Sequence, residues 1–251
     1  MFHLQKMAHL TTSITGHPVM LVAIAYVGLT LGTTSKLFER EHFMTARSST
    51  CRQLVLVMFD VKLKNVKKNS LSTAGEKFAN KILIPLYKDN PTKMKVIISV
   101  PDFTLKDFIV AVLSQLKATG NPDIIQKIGF DISWESKLTE SGEKEKALRD
   151  LGVSPYHAWL SSGITNWSPK KYLDELSSQV KYRDNGNYFS KVYAWSVDKK
   201  STAKTYLEMG LDGLIMNFPG RMNEAIAEIN KKKGQTMRLA TLDDDPFELI
   251  K

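Results

Sequence analysis

The sequence predicts an α/β domain on a parallel sheet, closed as a (β/α)8 TIM barrel, with an open doubly wound sheet as the alternative. Three observations lead there. The chain has 251 residues, the usual size of such a barrel at about 250. From residue 54 onward, short β-branched runs alternate with amphipathic stretches, the signature of serial strand–helix units. No glycine-rich phosphate loop opens the chain: Gly28 and Gly32 lie in or beside an apolar stretch and make no G-x-G-x-x-G turn.

The elements follow in order. In the first fifty residues, His9–Thr15 reads as a strand, Pro18–Gly32 as a helix and Lys36–Glu41 as a second strand. Val19–Leu31 is apolar and uncharged. Its thirteen residues are too few for a span of about 20, and it suits either a buried helix or a signal-peptide core behind Lys6. Six further strands are expected at Leu54–Leu63, Met94–Val100, Ile128–Ser133, His157–Ser161, Tyr188–Val197 and Gly213–Asn217. The helices between and after them are Thr73–Leu86, Leu105–Ala118, Glu143–Leu151, Lys170–Val180, Ser201–Met209 and Arg221–Lys232. Leu105, Phe108, Ile109, Val112, Leu113 and Leu116 recur at helical spacing. Ser168-Pro169 reads as a helix start, because proline tolerates the first turn. The tail, residues 238–251, carries Asp243-Asp244-Asp245-Pro246, which opposes a long helix, and reads as a loop anchored by Leu239 and Phe247.

Composition narrows the function classes. Hydrophobic residues make up 43%, which excludes a wholly disordered chain. The net charge of +9 suits acidic partners or simply solubility. No Arg/Gly/aromatic interleaving marks a single-strand nucleic-acid grip, so no nucleic-acid partner is expected. Cys51 is the one cysteine, so neither an internal disulfide nor a cysteine zinc site can form. The five histidines, His3, His9, His17, His42 and His157, show no zinc spacing.

Two pairs of residues could carry chemistry. In Phe59-Asp60-Val61-Lys62-Leu63, strand alternation puts Asp60 and Lys62 on one side and their apolar neighbours on the other. Opposite charges facing a barrel interior are costly unless paired or used, and charges at the carboxyl ends of barrel strands belong to active sites. An exposed strand end with a weak salt bridge is the other reading. Tyr193 and Trp195 repeat the i, i+2 geometry, as an aromatic wall for a cation or as core packing. Asn217 ends the last strand, placed to donate to a ligand oxygen or to form the turn.

Longer strings carry a resemblance. Lys191-Val-Tyr-Ala-Trp, Gly210-Leu-Asp-Gly-Leu-Ile-Met-Asn-Phe-Pro and Arg238-Leu-Ala-Thr-Leu-Asp-Asp-Asp-Pro-Phe resemble motifs of the arthropod sphingomyelinase D/phospholipase D toxins. Phe59–Leu63 resembles that family's L-D-L-K-L strand, and Ser162-Gly163-Ile164-Thr165 its D-G-I-T. The likeness covers residues 54–251 of one phosphodiesterase-type barrel domain spanning 1–251. Residues 1–50 are divergent, with the region between the second and third expected strands shortened to Arg40–Arg52.

The resemblance implies a secreted, monomeric, Mg2+-dependent enzyme. It would act on choline sphingolipids or lysophospholipids at a membrane surface, releasing choline and forming a cyclic phosphate. Carried over, Asp60 and Glu39 would be magnesium ligands and His17 a catalytic histidine. Lys62, Tyr193, Trp195 and Asn217 would bind substrate. Departures bear on activity: Leu37 falls where the family has a carboxylate ligand, and His42 is the one histidine in the stretch that should hold the second catalytic one. The family's disulfides cannot form with one cysteine. A catalytically impaired head-group-binding homologue is therefore the alternative.

Overall fold

The computed structural model describes residues 4–10, 22–27, 55–63, 66–88, 92–133, 141–163, 170–186, 188–233 and 237–249. The strands among them are β1 (Leu4–Leu10), β2 (Val22–Val27), β3 (Leu56–Asp60), β4 (Lys95–Val100), β5 (Ile128–Ile132), β6 (Trp159–Gly163), β7 (Lys191–Trp195) and β8 (Gly213–Leu214). Helix α1 (Leu71–Phe78) continues through a π turn, Ala79–Leu83, into α2 (Ile84–Lys88). Then come α3 (Lys106–Ala118), short α4 (Pro122–Ile125), α5 (Ser141–Asp150), α6 (Lys170–Asp184), α7 (Lys200–Met209) and α8 (Pro219–Lys233). From β3 onward the α/β expectation holds, with a helix after each strand.

Local chemistry fixes several boundaries. The Asp102 side chain accepts the Thr104 amide at 2.8 Å and starts the turn that leads into α3. Asn121 caps α4 in the same way, with Pro122 at the first helical position. Helix α7 stops at Gly210, whose φ of 98° is the left-handed conformation that glycine adopts without steric cost.

The strands form three hydrogen-bonded sheets. β3-β4-β5 and β6-β7-β8 are parallel, and a parallel bridge between Phe130 and Ala158 links β5 to the start of β6. β1 and β2 pair antiparallel. β2 lies beside β3 and β1 approaches β8, so neighbouring strands succeed one another around a ring. Among the described residues, no ladder of hydrogen bonds shuts the ring at those two seams.

The N-terminal expectations need correcting. Val22–Val27 is a strand rather than the middle of a helix. Its large residues Val22, Ile24 and Tyr26 alternate with two alanines, a period of two. The first strand is Leu4–Leu10, upstream of the expected His9–Thr15, and the antiparallel pairing departs from an all-parallel barrel. The expected Lys36–Glu41 strand and the shortened Arg40–Arg52 stretch lie outside the described residues.

Strand alternation creates two apolar cores. Phe59, Ile98, Phe130, Val192 and Leu214 face the helices, where Phe78 and Phe108 meet them. Phe59 and Phe78 pack edge to face at 5.2 Å. Each such buried side chain contributes about 1.5–3 kcal/mol. Leu56, Met58, Ile97, Trp159, Tyr193 and Ile215 face inward and form the second core.

The tail closes the amino ends of the strands. Arg238 grips Asp244 through two hydrogen bonds of 2.8 Å. Phe247 then inserts against Trp159, with ring centroids 6.4 Å apart, and lies under the Lys95 ammonium at 5.3 Å. A Cβ on Gly129 would stand 2.6 Å from Ile97 Cδ1 and 2.9 Å from the Phe247 ring, so glycine at that position makes room for both. Phe247 is thus the expected anchor, and Leu239 packs at the edge of the outer core.

Candidate functional site

The carboxyl ends of the strands gather the polar side chains. Asp60 closes β3 half-buried, and Lys62, two residues on and exposed, donates to its carboxylate. Their neighbours Phe59 and Val61 are fully buried on the opposite face, as alternation requires. Parallel register sets Asp60 beside Ser99, and Ser99 beside Asp131, on β3, β4 and β5.

Asp131 is the centre of a buried polar cluster. It is 0% exposed. Its carboxylate accepts the Tyr193 hydroxyl at 2.7 Å, Ser99 Oγ at 3.0 Å and Ser161 Oγ at 3.0 and 3.1 Å. Burial pushes its carboxyl above the usual carboxylate range; the Lys144 charge and the three hydroxyls oppose that shift. Lys144 reaches in from α5, itself buried, and lies 3.4 Å from the Ser161 carbonyl oxygen.

Tyr193 and Trp195 share the inner face of β7 but differ in role. Tyr193 is fully buried, with its ring 5.8 Å from Trp159 and its hydroxyl 3.6 Å from Met58 Sδ as well as bonded to Asp131. It forms a floor rather than an open wall. Trp195 is partly exposed above it, packed on the inner core. Contact between Met58 and Tyr193 ties the inner face of β3 to that of β7 in one core.

Asn217 is exposed just beyond β8. Its amide donates to Asp198 Oδ1 at 2.7 Å and its Nδ2 to Asp198 Oδ2 at 2.9 Å, while Arg221 donates to the Asp198 carbonyl at 2.7 Å. Asp198 thus holds both the backbone and the side-chain amide of Asn217 just beyond β8. His17 and Glu39 lie outside the described residues, as do Leu37 and His42.

Among the described residues, no group of three or more His, Cys, Asp or Glu is arranged to hold a metal ion. Asp60 offers a hard carboxylate of the kind magnesium takes, and magnesium can be held by one or two carboxylates with water completing its shell. Lys62 occupies one of its oxygens.

Ser99, Asp131, Lys144, Ser161 and Asp198 were not foreseen from sequence. Asp131 did leave a signal: an acid inside the apolar run Ile128-Gly-Phe-Asp-Ile132, on the inward side with Gly129. A charge there is costly unless satisfied.

Strand–helix units whose strands succeed one another around a ring define the class: an α/β protein of TIM-barrel-like fold. The more particular assignment comes from comparison. A family model, Dermonecrotic toxin SPH, matches residues 37–247, and the chain belongs to that family. It is 35% identical over 217 residues to Dermonecrotic toxin LlSicTox-alphaIII3ii of Loxosceles laeta, covering 84% of this chain and 77% of the toxin. Dermonecrotic toxin LdSicTox-alphaIB3aii of Loxosceles deserta is 35% identical over 202 residues, covering 79% and 71%. Among solved structures, a glycerophosphodiester phosphodiesterase from Parabacteroides distasonis superposes with a TM-score of 0.43 at 15% identity, over 71% of this chain and 58% of that one.

Proposed function

We propose that this protein is a phospholipase D-type phosphodiesterase that acts on choline sphingolipids or lysophospholipids. The observation that supports the reading is the set Asp60, Lys62 and Trp195, with Asn217 beyond the end of β8, in a chain of the dermonecrotic toxin family. The substrate phosphate would lie at Lys62 and its trimethylammonium on the Trp195 face, attracted by the ring quadrupole. Tyr193 supports the indole from below. Asp198 orients the Asn217 amide. Asp60, with Glu39, would hold magnesium, which when bound neutralises phosphate charge. His17 would move the proton as the lipid hydroxyl bonds to phosphorus and the choline oxygen leaves, giving a cyclic phosphate and choline. Secretion and a monomeric state belong to the same reading.

The test is choline release from sphingomyelin by the folded protein, with and without magnesium. Magnesium-dependent release is expected, and Trp195→Ala should weaken it. No release would reject catalysis by this chain. A second reading, a head-group binder without turnover, is favoured by Leu37 and by His42, which does not sit in the family's H-H-G context. It predicts binding to sphingomyelin liposomes above diacylglycerol ones without choline release, and equal binding to both would reject it.

A further inference from the structure

We infer that Gly163 is a positioning residue: by having no side chain it seats Trp195 against β6, and that seat sets which ammonium head group the mouth admits. The inference rests on the head-group reading of Trp195 given above.

Parallel register places Gly163 directly beside Trp195 on the inner face. A Cβ built on Gly163 would stand 2.6 Å from both Cη2 and Cζ2 of the indole and 3.1 Å from Cε2. Those atoms belong to a rigid ring, so no flexible end can bend away and the whole indole would have to turn. The backbone does not call for glycine here: Gly163 is not among the positive-φ glycines, which are Gly120, Gly152, Gly186 and Gly210. What the missing side chain provides is space for Trp195.

The floor beneath the ring is fixed. Tyr193 is fully buried and tied to Asp131 at 2.7 Å, and the indole packs on the inner core that contains Tyr193 and Trp159. With the floor and the β6 side closed, an added methyl would turn the indole away from β6, toward β8 or the carboxyl ends of the strands. Either movement would change the shape of the exposed indole face on which the ammonium group would sit. A trimethylammonium group, broader than a primary ammonium, suffers more from that change.

Gly163→Ala in the full chain tests this, labelled with 5-fluorotryptophan. The chain has four tryptophans, and the resonance lost in Trp195→Phe identifies Trp195. The expected result is a displaced Trp195 resonance. Binding to sphingomyelin vesicles should fall about tenfold, while binding to ceramide phosphoethanolamine vesicles should hold within about twofold. In the Trp195→Phe background, which lacks the obstructing Cζ2 and Cη2 atoms, Gly163→Ala should cost little in thermal stability or binding. That comparison also covers the case in which Gly163→Ala alone folds poorly. An unmoved Trp195 resonance, or an equal cost in both backgrounds, overturns the seat. A moved resonance with both head groups weakened alike overturns the role in discrimination. If Trp195→Ala leaves sphingomyelin binding intact, the head-group reading fails, and the resonance and the two-background comparison still decide the seat.

Discussion

Truncating Asp131 to alanine should be among the most damaging single changes in the inner core. The carboxylate is fully buried and accepts three hydroxyls, from Tyr193, Ser99 and Ser161. Removing it leaves these donors without that acceptor and takes away a negative charge that interacts with the buried Lys144. Hydrogen bonds to a charged group are worth about 1.5–3 kcal/mol each, but the carboxylate's own desolvation offsets much of the sum. The measured cost of removing one partner from a buried charged cluster, about 3–5 kcal/mol, is the better guide. In a chain of this length, 1 kcal/mol moves Tm by about 2–4 °C. Asp131→Ala should therefore lower Tm by roughly 6–20 °C, read by calorimetry and by a urea midpoint that falls at unchanged slope. Asp131→Asn, which keeps an acceptor oxygen, should lose less. A Tm within about 2 °C of the parent for the alanine variant would refute the cluster's stabilising role. The pH dependence has a definite sign. The Asp131 carboxyl is raised by burial, so its contribution is fully present below its unfolded pKa and is lost as pH rises through the folded one. The stability gap between parent and Asp131→Asn should accordingly widen as pH falls from 7 toward 4.

His157 titrates the other way. Burial first, and then the Lys95 charge, hold its imidazole below the ordinary histidine value, with Asp245 opposing. Its stabilisation is present above about pH 6.5 and is lost as pH falls through the depressed value; His157→Gln should flatten that part of a Tm-against-pH curve. Phe247→Ala removes the tail's insertion between Trp159, His157 and Lys95. It should cost about 3–5 kcal/mol and speed proteolysis of residues 238–249. Lys62→Met removes the cation bonded to Asp60; magnesium binding by calorimetry should tighten while vesicle binding weakens, and a loss of both would count against Lys62 competing for that carboxylate.

The fold was legible where periodicity and length agree. Six strand–helix units stand close to where the spacing places them, because short, mostly apolar strand runs and the longer amphipathic helices between them carry distinct periods. Residues 22–27 show the limit. A short apolar run satisfies both periods, and a thirteen-residue apolar window drew the helix reading although valine, isoleucine and tyrosine alternate with alanine inside it. Which strand pairs with which, and in what sense, is decided by contacts between distant segments. The antiparallel β1–β2 pair was beyond reach for that reason.

The site was legible in its parity and not in its connections. Alternation alone put Asp60 with Lys62, and Tyr193 with Trp195, on the inner face, since neither inference needs a partner strand. Distinguishing a wall from a floor does need one. Tyr193 is closed off because Asp131, two strands away around the ring, takes its hydroxyl, because Ser161 fills the place between them and because Ser99 bonds Asp131 from its other side. Register fixes that layer: Asp60 beside Ser99, Ser99 beside Asp131, Ser161 beside Tyr193. The same register brings a glycine against the indole at the next inward step on β6 and β7. Polarity buried in one layer and space left in the next together hold Trp195 where a ligand could reach it, and neither is visible until the strands are aligned.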